Sequence, residues 1–271
     1  MTTAHAAHVR LFRSLHTPSA PLALANAWDA ASARVVEAAG APAVATTSAG
    51  VAWALGSVDG DTLDRDRALA ALAQVAAAVT VPVTADLEDG YGAGPARVGA
   101  TVTRALAAGV VGINLEDGTR TPADFATRLT AARTAADKAG TDLFLNARID
   151  TYLLGLGAPE HRLTETLTRA HHYVAAGADG IFVPGVTDPA TISALAAEIP
   201  VPLNVMAGPG APSVAELGRL GVARVSLGSG VAQAAYGVVG RAARELLAGG
   251  TYDALADAVP YPEMQGLLAA R

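Results

Sequence analysis

Eight short apolar runs punctuate the chain: Leu22–Ala27, Ala43–Thr47, Val81–Asp86, Val110–Leu115, Leu143–Arg148, Gly180–Pro184, Pro202–Met206 and Val222–Leu227. Most are continuous instead of alternating, the pattern of strands covered on both faces. Between them lie Ala-rich amphipathic stretches, such as Ala30–Ala39, Arg65–Val79, Ala96–Ala108 and Phe125–Ala139. Glycine ends several of them just before the next strand, at Gly40, Gly109, Gly140, Gly177 and Gly221, where a helix stop is expected. The rhythm predicts an α/β fold, a (β/α)₈ TIM barrel with right-handed connections, as a single domain over residues 1–271. Residues 242–271 run past the eighth strand and read as a C-terminal helical extension. Its Leu246-Leu247, Leu255, Met264 and Leu267-Leu268 have no strand to cover. Such a patch predicts contact with a neighbouring subunit, as a homodimer or homotetramer.

Composition narrows the function classes. The chain has 271 residues, 51% hydrophobic and 16% charged, with 4% aromatic, so the core should be close-packed aliphatic. No apolar run approaches the roughly 20 residues needed to span a bilayer, and residues 1–13 lack the apolar segment of a signal peptide. A net charge of -6 without basic clusters argues against nucleic acid. These features predict a cytoplasmic protein with no membrane or nucleic-acid partner. The absence of cysteine removes disulfides, zinc-thiolate sites and thiol nucleophiles or acids together.

Chemistry concentrates where the strands end, which in such a barrel is the active face. Ala85-Asp86-Leu87-Glu88-Asp89-Gly90-Tyr91-Gly92 closes the third run with three acids and then breaks into glycine. Unpaired buried carboxylates cost several kcal/mol, so the cluster points to a hard divalent cation with oxygen ligands; capping of the next helix is the plainer alternative. The other strand ends supply Asn26-Ala27-Trp28-Asp29, Thr46-Thr47-Ser48 with a loop to Asp59, Asn114-Leu115-Glu116-Asp117, Asn146-Ala147-Arg148-Ile149-Asp150, and Asn204. Carboxylates converging there would repel one another without a counter-ion. Arg148 reads as a fork for a substrate carboxylate, or as an internal salt bridge to Asp150 or Glu116.

These blocks resemble the isocitrate lyase/phosphoenolpyruvate mutase superfamily over roughly residues 20 to 230. The matching elements run in order: Asn26-Ala-Trp-Asp-Ala-Ala-Ser-Ala33, Thr47-Ser48 with Leu55-Gly56 and Asp59, Asp86-Leu-Glu-Asp-Gly-Tyr-Gly92, Gly112-Ile-Asn-Leu-Glu-Asp117, Asn146-Ala-Arg148 and Ala176-Gly-Ala-Asp-Gly-Ile-Phe-Val183. The resemblance implies an Mg²⁺-dependent enzyme, with Mn²⁺ as a substitute, acting on small 2-oxo or 2-hydroxy acids. It would cleave a C–C bond by retro-aldol reaction or decarboxylation through a metal-stabilised enolate. P–C bond chemistry, or a repurposed non-catalytic carboxylate binder, stands as the alternative. Carried over by position, Asp86, Glu88 and Glu116 would hold the metal, directly or through water, with Asp59 assisting. Thr47, Ser48 and Arg148 would bind the substrate and stabilise charge; from position at the strand ends alone, Asn204 reads as a substrate contact and Trp28 as either lining the mouth or packing. Relatives exchange a C-terminal helix between subunits, which implies the same here.

The chain also departs from that pattern. Isocitrate and methylisocitrate lyases carry a mobile loop with Lys-[Lys/Arg]-Cys-Gly-His after strand four, whereas this chain reads Glu116-Asp-Gly-Thr-Arg-Thr-Pro-Ala-Asp124. The loop is short and thiol acid chemistry is excluded. The lysine and asparagine of the mutases are also missing there, Arg120 being the one basic residue, and Pro184 stands where mutases place a histidine. Other residues read plainly. His171-His172 fall on an outer helix face, and His5, His8 and His16 lack supporting acids. Trp53 either lines the mouth or packs. Gly208-Pro209-Gly210 is a weak phosphate cradle because Pro209 lacks an N–H; Gly228-Ser229-Gly230 suits an anion better.

Overall fold

A computed structural model describes residues 3–60 and 62–269. Nine parallel strand segments form one sheet: β1 (Leu22–Leu24), β2 (Asn26–Ala27), β3 (Val44–Thr46), β4 (Val83–Asp86), β5 (Gly112–Glu116), β6 (Phe144–Arg148), β7 (Gly180–Val183), β8 (Leu203–Met206) and β9 (Arg224–Ser226). Their order is β1-β9-β8-β7-β6-β5-β4-β3-β2. The two ends of that row, β1 and β2, are separated in sequence by Ala25 alone. Leu22–Ala27 is therefore one interrupted stave that pairs with β9 through Leu22–Leu24 and with β3 through Asn26–Ala27. The sheet closes into an eight-stave barrel.

Helices α1 (Thr3–Ser14), α2 (Ala30–Ala38), α3 (Ser48–Ala54), α4 (Arg65–Ala78), α5 (Pro95–Ala107), α6 (Pro122–Lys138), α7 (Arg162–Ala175), α8 (Pro189–Glu198), α9 (Val214–Arg219), α10 (Gly230–Gly249) and α11 (Tyr261–Ala269) complete it. Several start on side-chain caps: Asp29 and Ser213 in capping boxes, and Asp64, Thr121 and Asp188 accepting from first-turn N–H groups. These caps satisfy donors that the first turn would otherwise leave unpaired.

Three features differ from the sequence reading. The stretch after strand two, read as a loop, is the short helix α3. The N-terminal segment forms α1, whose Phe12 is buried against the Phe144 ring at 5.7 Å while His16 stacks on Phe144 at 4.0 Å. Finally, the helix after the last strand begins at Gly230 and continues without a break to Gly249, so the extension expected from 242 comprises the second half of that helix and the separate α11. Only Ala232 of α10 is buried, while Tyr236, Val238, Val239, Leu246 and Leu247 are exposed. On the outer wall an apolar groove lined by Leu24, Val35, Val36, Val214, Val225 and Leu227 runs between α2 and α9.

Most of the core lies between strands and helices, around Ile113, Leu115, Leu129, Leu145, Ile181 and Leu195. The barrel interior carries a polar layer instead. Asn146 Nδ2 donates to Asn114 Oδ1 at 2.9 Å and Asn204 Oδ1 at 3.2 Å, and Asn204 Nδ2 donates to Ser226 Oγ at 3.3 Å. Arg224, 1% exposed, donates to Asn114 Oδ1 at 3.4 Å and lies over the Phe12 ring. Burial pushes its pKa down to about 10.

Candidate active site

The acidic loop after β4 is held in a costly conformation. Glu88 and Tyr91 have φ of 51° and 55°, and Gly90 has φ of 100°. Positive φ at a residue other than glycine costs on the order of 1 kcal/mol or more and persists only where surroundings enforce it. Here Gly90 N–H donates to Leu87 O at 2.8 Å, the Thr101 hydroxyl donates to Gly90 O at 2.9 Å, and both Arg120 and Arg128 pair with the Asp89 carboxylate. Asp89 thus anchors the loop and faces two arginines.

Asp86 is positioned by the neighbouring strand. Its N–H donates to the Thr46 hydroxyl at 2.9 Å, and its Oδ2 accepts from Ser48 N–H at 3.1 Å, at the start of α3. Ser48 thus spends its backbone donor on Asp86, and its hydroxyl on Asp59. Thr47 is buried and its N–H donates to Ala27 O. Asp59 belongs to an exposed loop, yet its carboxyl bonds to Ser48 and Gly60; partial burial and Asp86 raise its pKa.

Glu116 and Arg148 are paired residues of β5 and β6. Arg148 Nη1 lies 2.5 Å from Glu116 Oε2, and its Nε 2.7 Å from Asp150 Oδ1. The internal ion pair considered above is therefore real, and Arg148 supplies part of the counter-charge that the acids had seemed to lack. It does not supply enough. Burial, aided by Asp86, Asp150 and Glu88, pushes the Glu116 carboxyl up to about 8 against the pull of Arg148. One guanidinium shared by Glu116 and Asp150 is outweighed by desolvation together with the charges of Asp86, Asp150 and Glu88. Burial alone would lower the Arg148 pKa, but Glu116, Asp150 and Asp86 hold it above its ordinary value. Arg148 Nη2 has no protein partner among the described residues.

Behind this pair lies a chain of contacts. Asp150 N–H donates to Asp117 Oδ1 at 2.9 Å. Asp117 is fully buried, and its Oδ2 accepts from Tyr173 OH at 2.7 Å and Arg169 Nη1 at 2.9 Å. Neither Arg169 nor Tyr173 is signalled in the sequence beyond an i,i+4 spacing that brings both to one face of α7.

The structure thus brings Asp86, Glu88, Glu116, Arg148 and Asp59 into mutual electrostatic reach. Asn204 differs: its side chain is spent inside the barrel, bonding to Ser226 and two backbone carbonyls. Trp28 packs half-buried on the core, and Trp53 meets Tyr236 edge-on at 6.3 Å. His171 and His172 are exposed, as expected. Gly208-Pro209-Gly210 is an exposed turn.

Among the described residues, no three acids or histidines stand close enough to form a closed metal cage. A magnesium-type ion does not require one, since it keeps several waters and takes one or two carboxylates directly. Hard oxygen donors on a fixed loop, beside a strand-end carboxyl raised by burial and then by its acidic neighbours, fit such an ion.

The chain is similar to several known proteins. Residues 12–247 match the family model described as phosphoenolpyruvate phosphomutase. An uncharacterised protein of Mycobacterium tuberculosis is 39% identical over 257 residues, covering 95% of each chain. A crystal structure from Burkholderia cenocepacia, described as a candidate lyase/mutase, superposes with a TM-score of 0.91 at 38% identity, covering 99% of this chain and 98% of that one. An oxaloacetate decarboxylase of Ectopseudomonas mendocina is 35% identical over 158 residues, 55% of this chain and 53% of its own.

Proposed function

The chain belongs to the phosphoenolpyruvate phosphomutase family, within the isocitrate lyase/phosphoenolpyruvate mutase superfamily of lyases and mutases, and from that premise we propose that it decarboxylates a small 2-oxo diacid of the oxaloacetate type with the help of Mg²⁺ or Mn²⁺. Asp86, Glu88 and Glu116 would hold the ion directly or through water, with Asp59 in support. The ion, when bound, supplies Lewis acidity toward the 2-oxo carboxylate end of the substrate.

The observation that carries this reading is Arg148. Its Nη2 has no protein partner among the described residues, and its Nη1 would be freed if Glu116 left the guanidinium to help hold a cation. The two nitrogens then make the parallel donors that a carboxylate accepts. Substrate bound there loses its distal carboxylate as CO₂, and the electrons of that C–C bond pass into the 2-oxo group. Arg148 and the Thr47 hydroxyl stabilise the charge that develops. Thiol acids are absent, and Arg169 fastens the short Asp117–Thr121 turn by donating to the carbonyl of Arg120. Water at the open mouth delivers the final proton, which suits decarboxylation better than a cleavage that must shield its intermediate.

We also assign the protein to a symmetric homo-oligomer in which α10 leaves its own barrel. The exposed apolar residues of α10 and the groove between α2 and α9 support exchange of this helix between subunits.

The test is pyruvate release from oxaloacetate with Mg²⁺, above the uncatalysed rate, alongside Asp86→Ala. The expected result is turnover by the natural chain and loss of both activity and Mg²⁺ binding in the variant, at unchanged helix content. Preferential turnover of phosphonopyruvate, or near-normal activity of Asp86→Ala, overturns the assignment.

A further inference from the structure

We infer that Arg169 and Tyr173 of α7 are positioning residues for Arg148, acting through Asp117 and Asp150. The inference rests on the reading of Arg148 as the carboxylate fork, but its physical content is independent of the substrate.

Four contacts join α7 to the fork. Tyr173 OH and Arg169 Nη1 both bind Asp117 Oδ2; Asp117 Oδ1 accepts the Asp150 N–H; Asp150 Oδ1 accepts Arg148 Nε, with lengths of 2.7, 2.9, 2.9 and 2.7 Å. Asp117, Asp150 and Tyr173 are each at most 1% exposed, and Arg169 is 9% exposed. Water therefore does not compete for these bonds, and a buried carboxylate with its charge partner removed is costly.

Arg169 does a second job. The same Nη1 donates to Arg120 O at 3.1 Å, and the Arg120 guanidinium holds Asp89 on the acidic loop. One α7 arginine is therefore tied to the β6 end, which carries the fork, and to the turn whose arginine grips the loop of Asp86 and Glu88. A site without a long closing loop has to be organised before substrate arrives, and this strut behind the strands provides that organisation. A misplacement of about 1 Å at the reacting groups costs on the order of 100-fold in rate.

The experiment compares Tyr173→Phe, Arg169→Met and Arg169→Lys with Glu165→Gln in the full chain. Glu165 is the half-exposed outer partner of Arg169, at 2.7 Å, and lies outside the strut. Tyr173→Phe keeps the ring packed on Phe125 and removes only the hydroxyl, so it tests the strut even where Arg169→Met does not fold. The first readout is hydrogen exchange at Arg148 Nε–H, followed by ¹⁵N NMR and assigned by its loss in Arg148→Lys. The second is kcat and KM for oxaloacetate with Mg²⁺.

Exchange at Arg148 Nε–H should quicken about tenfold or more in Tyr173→Phe and Arg169→Met, less in Arg169→Lys, and not in Glu165→Gln. Loss of kcat/KM, on the order of 10-fold to 100-fold, should follow the same order. Unchanged Arg148 exchange in folded Tyr173→Phe overturns the inference. An equal response to Glu165→Gln also overturns it, by showing a general loosening of α7. If the natural chain does not act on oxaloacetate, the function fails, while the exchange data still decide the strut.

Discussion

Replacing Glu116 with glutamine in the metal-free protein tests the charge balance at the mouth. Glu116 ordinarily titrates near 4.5 and is pushed up to about 8 in the folded chain. Between those values the folded state retains a proton that the unfolded state has released. The stability associated with that proton is complete below the unfolded value and is lost as pH rises through the folded one. One proton corresponds to about 1.4 kcal/mol per pH unit. From about pH 5.5 to 8 the loss is therefore on the order of 3 kcal/mol, equivalent to roughly 6 °C or more in melting temperature. Asp59 and Asp117, also raised, tilt the curve the same way, whereas buried His16, lowered to about 3, tilts it oppositely below its ordinary 6.5. The difference between the natural chain and Glu116→Gln cancels these shared slopes. Gln keeps a hydrogen bond to Arg148 and has no proton to lose. The assay is thermal melting by circular dichroism in chelator across this pH range. The natural chain should fall relative to the variant as pH rises, and Mg²⁺ should restore most of the loss near pH 8, because a cation relieves the repulsion that the proton had relieved. Parallel curves for the two proteins refute the reasoning.

Arg148→Lys keeps the charge but cannot span Glu116 and Asp150 together, so kcat/KM should drop on the order of 100-fold; steady-state kinetics equal to those of the natural chain would remove the fork from the mechanism. Gly90→Ala places a methyl 2.8 Å from Val98 Cγ2 at a φ of +100°, and should cost about 1–3 kcal/mol in urea unfolding together with Mg²⁺ affinity; a neutral result shows that the loop is not enforced by its neighbours. Light scattering of the full chain should give a dimer or larger at micromolar concentration, and a chain ending at Gly240 should lose that assembly. A full-length monomer refutes helix exchange.

The strand order was legible because buried parallel strands show as uninterrupted apolar runs and because glycine marks the ends of the helices. The break at Ala25 was not, since a change of hydrogen-bonding partner in mid-strand leaves no compositional trace. Helix α1 escaped notice because only Val9 and Phe12 of its residues are buried, too few to set a period. At the site, Asp86, Glu88 and Glu116 stood out as acids where a core would tolerate none. The pairing of Arg148 with Glu116 depends on the register of β5 against β6, and could only be weighed against a free fork. Arg169 and Tyr173 lay furthest from view, being ordinary helix residues until the fold brings them onto Asp117, just past β5. Asn204 was misplaced because a strand-end asparagine looks the same in sequence whether it faces the mouth or the barrel interior.

The interrupted first stave sets a timetable for biosynthesis. Leu22–Leu24 leaves the ribosome early, but its partner Arg224–Ser226 follows some two hundred residues later. At about 5–20 residues per second, that edge waits roughly ten to forty seconds with its hydrogen-bonding groups unsatisfied, while β2 can already pair with β3. An unpaired strand edge invites association with other chains. The nascent protein is therefore most exposed to misassembly just before the last stave emerges. A translational pause upstream of Arg224 should lengthen that interval and raise the aggregated fraction without changing a single residue of the finished molecule.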